Sequence, residues 1–335
     1  MKKSGLIIAI LFIFSTKNSM AQGCSDPGIC TIGSLNSAST ADSVSRTDFT
    51  KADIDELLNT AILSEKYNFG VEMGYGEGDR NTNIYSVYLR GSIRLKEKLM
   101  LGIKLPYTIT EGILGSAQGL GDITLNLQNI IKSGKSFRLA YTIGVVIPTN
   151  TANLKSKGRS LPMAYQSSMG LFGGLVGITV STRKWNGVLG FQQNFGNNGN
   201  EFTTEGIILD PGIAGYDTLN RARTNFGSSR MLHNSGDVIL RLERGIKIKR
   251  ADILIGILPI YRIDNSTIKL LNGNTYEVNK SNGLTFNVTA GFSYKFKKNW
   301  QLSINAGRPY INRKVAPDGL RRSNVVLMRI TKKFW

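Results

Sequence analysis

The sequence has little of the chemistry that metal sites and transmembrane helices need. Its 335 residues include one histidine, His233, and two cysteines. Two thiols with no nearby histidine are too few ligands for a structural zinc site. Beyond residue 21 there is no run of about 18 apolar residues, so the rest of the chain cannot cross a bilayer as a helix. If the chain is membranous it must form a β-barrel, because only helices and closed sheets satisfy their backbone polar groups in lipid.

The first residues are typical of a secretory signal peptide. Lys2 and Lys3 give a positive start, and the apolar run at 6–14 is too short to span a bilayer as a helix. Small residues at Ser19 and Ala21 predict cleavage after Ala21, with an uncleaved anchor as the alternative. The predicted division is therefore a signal peptide at 1–21, an N-terminal periplasmic segment at 22–66 and a barrel at 67–335.

Both cysteines, Cys24 and Cys30, follow directly after the predicted cleavage site. An exported pair this close in sequence predicts one local disulfide. Lipidation of Cys24 is the alternative, but Ala21 stands where a large aliphatic residue is wanted.

A short helix is predicted over about 51–63. Residues 50–53 match a capping box, and Ile54, Leu57, Leu58 and Ala61 follow on one helical face. This helix would pack against the periplasmic mouth of the barrel or enter its lumen. A tethered linker is the alternative.

The charge balance is strongly basic. Lys and Arg number 42 against 23 Asp and Glu, which gives a formal net charge of +19. A basic excess suggests polyanionic partners, yet an exported chain rarely meets nucleic acid. Lipopolysaccharide phosphates in the outer membrane or an anionic solute fit better. A solvated basic surface with no partner is the alternative.

From Tyr67 onward the hydrophobic period is two. Tyr67, Phe69 and Val71 alternate with Asn68 and Gly70, for example. Segments of about 9–14 residues with one apolar and one polar face are typical of transmembrane barrels, whereas β-sandwiches use shorter strands. The sequence therefore predicts an all-β fold, an antiparallel up-and-down transmembrane β-barrel of about twelve strands. Its predicted strands are 67–76, 83–94, 99–109, 121–131, 137–148, 168–180, 187–195, 236–244, 252–262, 283–296, 300–308 and 324–335.

The connections between these strands alternate between long and short. Five of the six loops on one side are long, whereas every turn on the other side is short, as in outer-membrane barrels. The predicted loops are 77–82, 110–120, 149–167, 196–235, 263–282 and 309–323, and the predicted turns are 95–98, 132–136, 181–186, 245–251 and 297–299.

Aromatic residues fall at both ends of the predicted strands. Two interfacial girdles are expected where rings sit at headgroup depth. The terminal Trp335 resembles the signal read by the barrel-insertion machinery, although it lies on the opposite face from Val326, Met328, Ile330 and Phe334. The girdle residues are Tyr75, Tyr85, Tyr107 and Tyr261 at the loop side, and Tyr67, Phe137, Phe296 and Trp300 at the turn side.

Charged residues alternate with the apolar ones and are therefore predicted to face the lumen, because charges cannot face lipid cheaply. They predict a narrow, cationic solute path. A ladder of paired side chains with no passage is the alternative. The predicted inward charges are Glu72, Arg90, Arg94, Lys104, Asp122, Arg138, Arg241, Glu243, Asp252, Arg262 and Lys295.

Three short motifs occur in order: LGIKLPY at 101–107, GLGDI at 119–123 and GVVIPT at 144–149. With them, the segment at about 67–150 resembles the outer-membrane family named for the meta-pathway of phenol degradation, which is related to long-chain fatty-acid transporters. The similarity continues more weakly to the C-terminus. The resemblance implies a barrel that admits hydrophobic or aromatic compounds, and it makes Pro106 and Asp122 motif positions. Asn150 departs from the usual glycine after the second Pro-Thr.

These observations predict a channel for small hydrophobic or aromatic solutes, including anionic ones, with no cofactor or metal and no catalytic activity. The first alternative is a structural or adhesive barrel with a packed lumen that displays the loop at 196–235. The second is an outer-membrane phospholipase-like hydrolase using His233 and Ser235, since a hydroxyl nucleophile needs a base within hydrogen-bond reach.

Overall fold

The computed structural model describes residues 66–134, 136–207, 216–297, 299–319 and 324–334. The predicted signal peptide, the Cys24–Cys30 pair, the helix at 51–63 and Trp335 lie outside these residues. No helix in the described part of the chain has the length and hydropathy needed to span a membrane.

Strands dominate the described residues. They are accompanied by one helix, α1 (Tyr216–Thr224), and two 3-10 turns, Asp79–Asn81 and Met163–Tyr165. In chain order the strands are β1 (Tyr67–Glu77), β2 (Asn83–Lys96), β3 (Leu99–Gly112), β4 (Gly115–Leu120), β5 (Ile123–Ser133), β6 (Phe137–Ile147), β7 (Lys155–Ser156), β8 (Arg159–Ser160), β9 (Gly173–Thr182), β10 (Trp185–Asn194), β11 (Asp237–Ile248), β12 (Ala251–Arg262), β13 (Ser266–Lys269), β14 (Thr275–Val278), β15 (Gly283–Lys297), β16 (Trp300–Ile311) and β17 (Val325–Phe334).

Twelve of these strands form a closed antiparallel barrel, which confirms the predicted fold class. Around the barrel they run β1, β2, β3, β5, β6, β9, β10, β11, β12, β15, β16 and β17. The first and last strands close it, with pairs from Tyr67 and Phe334 to Gly76 and Val325. Closure leaves the barrel without open sheet edges. Open edges would expose unpaired backbone N–H and C=O groups to lipid, which is costly.

The two faces of the wall have opposite chemistry. On β2, Val87 and Leu89 are exposed on the outside, whereas Tyr88 and Arg90 are buried inside. On β17, Met328 and Ile330 are exposed and Arg329 is buried. Apolar side chains outside and charged side chains inside reverse the pattern of a water-soluble protein and match a barrel in lipid.

The two ends of the barrel differ. Tight turns join β2 to β3, β9 to β10 and β11 to β12 at one end, here called the turn end, and long loops emerge at the other, the loop end. Aromatic rings lie at both. Tyr75 and Tyr85 have ring centroids 5.4 Å apart at the loop end, and Phe296 and Trp300 have centroids 6.2 Å apart at the turn end.

Several predicted boundaries differ from the structure, for example at β11, which extends to Ile248, and two of the differences have a clear cause. Residues 110–120, predicted as a loop, continue β3 to Gly112 and return as β4, because backbone pairing forms a hairpin although the apolar alternation has stopped. The strand predicted at 168–180 begins only at Gly173. Ser168 and Met169 instead hydrogen-bond to Asp122, which holds them in the preceding loop.

The long loops fold into a compact cap at the loop end. Leu114, at the tip of the β3–β4 hairpin, packs in an apolar cluster with Tyr165, Phe202 and Phe226. The backbone N–H of Leu114 donates to the Tyr165 hydroxyl over 3.1 Å. Asn200 is fully buried, and its amide nitrogen donates to the carbonyl oxygens of residues 152 and 161. The cap therefore has a core of its own.

Candidate solute path in the barrel lumen

The structure places the charges expected inside the barrel on its inner face. Three of them are partly buried, namely Arg94, Arg241 and Lys295. The others are buried, as is Pro106: Glu72, Arg90, Lys104, Asp122, Arg138, Glu243, Asp252 and Arg262. Their position follows from strand parity, and their role in a solute path stays a prediction.

One group of charges forms a basic sector on β1, β2, β3 and β17. Glu72 accepts hydrogen bonds from Arg90 and from Arg329, each over 2.7 Å. Arg90 lies directly opposite Lys104 in the strand register, and both cations approach the ring of Tyr88, Lys104 to 4.9 Å and Arg90 to 5.7 Å from its centroid. Two cations therefore share one carboxylate and a third lies beside them, and these four residues (Glu72, Arg90, Lys104 and Arg329) are here called the basic sector.

Further cations extend this field around the wall. Arg138, on β6, is buried and close enough to Arg94 for the two charges to repel. The Nε and Nη2 atoms of Arg138 have no hydrogen-bond partner among the described residues. Arg241 is different, because it pairs with Glu243 over 2.5 Å. Arg94 and Arg138 come from strands separated by β3 and β5 in the wall, and a joint role of these basic groups in a solute path stays a prediction.

An apolar sector lies on the other side of the lumen. Val146, Leu175, Val188, Ile239 and Leu258 point inward from β6, β9, β10, β11 and β12 and form one buried cluster. In the strand order, these strands lie across the barrel from β1, β2 and β17. Sequence reasoning missed this sector, although apolar residues at inward positions of successive strands were a visible signal.

A cavity lies between the basic sector and the turn end. The space within it, counted out into the open solvent, is about 650 Å³. Small residues at inward positions, such as Gly70, Gly102 and Ser303, leave this space unfilled. Its polar lining consists of Asn68, Arg90, Ser92, Asn126, Gln301, Ser303, Arg329 and Thr331.

Arg262 belongs to a separate cluster at the loop end. Its guanidinium forms two 2.9 Å hydrogen bonds to Asp237 and one of 2.5 Å to Asp318. Asp318 also pairs with Arg313 over 2.9 Å. Burial alone would raise the pKa of Asp318, but Arg313 and Arg262 hold it well below its usual value. The cluster anchors the loop at 312–319 to the wall, and the guanidinium of Arg262 is occupied by these ion pairs.

Asp122 binds the loop that precedes β9. Its carboxylate accepts hydrogen bonds from the Ser168 hydroxyl and from the Met169 N–H, the latter over 2.9 Å. Pro106 lies beside it, where β3 changes partners. Pairing with β5 ends at Lys104, and pairing with β4 begins at Tyr107. This change agrees with the missing backbone donor of proline.

His233 and Ser235 are engaged in loop contacts. The His233 Nδ1 atom lies 2.7 Å from the carbonyl oxygen of Gly196. The Ser235 hydroxyl donates to the carbonyl oxygen of Asp264 and accepts from its N–H, both over 2.9 Å. These contacts give Ser235 a structural role in the loop and provide no positive sign of catalysis.

Comparison with known proteins supports the architecture. No family model matches the chain, and no curated protein matches it in sequence. Among solved structures, an outer-membrane channel from Pseudomonas putida F1 is similar, with 15% identity, coverage of 81% of this chain and 96% of that one, and a TM-score of 0.54. The KdgM porin (9% identity, 80% and 99% coverage, TM-score 0.41) and the NanC porin (10%, 79% and 100%, 0.43) are less similar. The fold is thus that of an outer-membrane β-barrel, and membership of the phenol meta-pathway family stays a prediction.

Proposed function

We propose that this protein is an outer-membrane channel for small amphipathic solutes, with an apolar or aromatic body and an anionic group. The carrying observation is the division of the lumen into a basic and an apolar sector on opposite walls. A solute of this kind would contact both at once. We also propose export with a cleaved signal peptide, insertion through the terminal Trp335, and lipopolysaccharide as a neighbour of the basic loops.

The energetics of the two sectors are complementary. Apolar contact contributes about 25 cal/mol per Å² of area removed from water and does not discriminate by charge. Like charges in a confined space raise the local potential and attract anions. The basic sector carries three cations and the single carboxylate of Glu72, and this charge balance supports a positive field. The apolar sector favours the body of the solute, and the basic sector favours its charge.

Replacing Arg90, Arg94 and Lys104 together with glutamine tests this proposal. We expect the barrel to insert but to lose its anion preference, measured as reversal potential in planar bilayers, and to lose uptake of an aromatic acid into proteoliposomes. Glutamine at Lys157, Lys249 and Lys280, which are exposed and lie outside the barrel strands, is the matched control, with the same change in net charge. Unchanged selectivity and uptake in a normally inserted triple variant would leave the basic sector with a structural role only.

A structural or adhesive barrel is the second candidate. The packed cap and the ion-pair cluster around Asp318 favour it, because both occupy the loop end with paired groups. Purified protein with no conductance, with and without residues 22–63, would support this candidate. Conductance that appears only on deletion would instead show that the N-terminal segment obstructs the lumen.

A further inference from the structure

One buried amide nitrogen in the cavity has no hydrogen-bond partner in the part of the chain that the structure describes. Asn126 projects inward from β5 and is 6% exposed. Its Nδ2 atom has no hydrogen-bond partner among the described residues. A buried N–H donor without an acceptor is costly, and a ligand or an ordered water is one way to satisfy it.

The space in front of this amide exists because nearby residues lack side chains. Gly102 lies directly opposite Asn126 in the β3–β5 register, and a Cβ there would lie 2.8 Å from the Asn126 Oδ1 atom. Gly70 is similar, since a Cβ there would lie 3.2 Å from the Thr331 hydroxyl oxygen. Larger residues at either position would fill the cavity.

Charge and geometry in this space favour one kind of ligand. Arg90 and Arg329 line it, and each donates one hydrogen bond to Glu72. A guanidinium has five N–H donors, and Arg329 uses its Nε for Glu72, so it keeps donors for a ligand. Guanidinium and amide donors around a small cavity suit the two oxygens of a carboxylate. One acceptor in the lining, Asn68 Oδ1, also lacks a partner among the described residues and suits a hydroxyl on the same solute.

We propose that this cavity is a carboxylate-binding subsite, in which Asn126 Nδ2, Arg90 and Arg329 hold the acidic group of the solute at the turn end of the lumen. The proposal rests on the proposed channel function and adds to it a saturable binding step. The apolar sector lies nearer to the loop end than the cavity does. The subsite would therefore receive the anionic end of a solute that has entered from the loop end.

The test is equilibrium binding of 4-hydroxybenzoate to the full-length mature protein in detergent, measured by titration calorimetry. We expect saturable binding by the wild type and none of the neutral analogue 4-hydroxybenzyl alcohol. Asn126→Asp should weaken binding about tenfold or more, because it replaces a donor with a like charge of the same shape. Asn287→Asp places the same charge elsewhere in the lumen, outside the cavity lining, and should leave binding within about twofold.

One further measurement and one further variant distinguish a folding defect from a loss of binding. Heat-modifiable migration shows whether each variant has formed the barrel, and Asn126→Ala provides a neutral replacement if the aspartate variant does not fold. Wild-type protein that conducts anions without saturable binding, or equal binding by Asn126→Asp and wild type, would overturn the subsite alone. Saturable binding without any passage would leave the subsite standing and overturn the channel.

Discussion

At the scale of single residues, Glu72 organises the inner wall. It is fully buried and receives Arg90 from one neighbouring strand and Arg329 from the other. Removing one partner of a buried ion pair leaves the other charge uncompensated, which is more costly than the pair itself is stabilising. The carboxylate also limits the positive potential of the lumen, so stability and selectivity are linked at this position.

We therefore expect Glu72→Gln to change two properties in opposite directions. The free energy of unfolding should fall by about 3 kcal/mol, because two buried guanidiniums lose their counter-charge. Anion preference should rise, because one negative charge leaves the basic sector. Denaturant titration in lipid vesicles measures the first and reversal potential the second. Glu201→Gln is the control, since Glu201 is exposed in the cap. Lower stability with no gain in selectivity would show that the sector does not influence permeating ions.

Strand parity predicted the inward position of Glu72 but not its partners. Arg329 was missed because the predicted last strand had two possible faces, with Val326 and Met328 on one and Trp335 on the other. Asn126 was visible as an inward polar residue, yet its missing partner depends on the glycine opposite. Pairing across strands that are distant in sequence needs the register, which the sequence does not specify.

At the scale of elements, the loop at 312–319 is held to the wall by charge. Asp318 lies between Arg262 and Arg313, and Gly319 approaches the backbone of Ala164 in the cap with a φ of +68°. This positive φ and the close approach both favour glycine. The loop is thus held by the ion pairs of Asp318 and by the close packing of Gly319 against the cap.

Asp318→Asn should release this loop. The neutral amide cannot compensate two buried guanidiniums, so cleavage after the exposed Lys314 by trypsin should speed up about tenfold or more. Asp264→Asn, in another loop, is the matched control. Peptide mass spectrometry of timed digests provides the measurement, and equal cleavage rates in both variants and wild type would show that the ion pairs do not hold the loop.

The same attachment should depend on pH in a definite direction. Because the folded-state pKa of Asp318 is lowered, its stabilising effect is complete above the ordinary value of 3.8 and is lost as pH falls below that value. Hydrogen exchange of peptides from this loop, corrected for intrinsic rates, should show constant protection between about pH 5 and 8 and weaker protection in stronger acid.

Strand bounds were predictable where apolar and polar residues alternate clearly. They were not predictable where backbone pairing or side-chain contacts determine where a strand begins or ends. The strand predicted at 252–262 differs from β12 by a single residue at its start. The β3–β4 hairpin carries Gly115, Ser116 and Gly119, whose small side chains give no periodic signal. Residues 168–172 are fixed in a loop by the distant Asp122. The cap likewise depends on contacts between loops far apart in sequence.

At the scale of the whole molecule, closure of the sheet predicts resistance to detergent. Unboiled protein should migrate faster than boiled protein on gels, because every barrel strand is paired on both sides and the fold survives mild detergent. The protein should also fractionate with the outer membrane. A soluble β-sandwich of similar size is the control for migration. Identical migration of boiled and unboiled samples, with recovery in the periplasmic fraction, would contradict a membrane barrel.

The apolar sector shows what the sequence alone could not predict at this scale. Parity identifies which residues face inward on each strand, but not which strands face each other. Only closure brings Val146, Leu175, Val188, Ile239 and Leu258 into one cluster opposite the cations. The substrate class proposed above therefore depends on topology as much as on composition.

The seam between β1 and β17 has a consequence for biosynthesis. The bond between Glu72 and Arg329 joins residues 257 positions apart, so it cannot form until nearly the whole chain has been made. A product truncated before β17 would retain two open strand edges and a carboxylate lacking half of its partners. Open edges invite pairing with other chains, so such fragments would be removed by periplasmic proteases or aggregate. Closure of the barrel therefore depends on completion of the chain, because β1 closes the sheet only by pairing with the last strand.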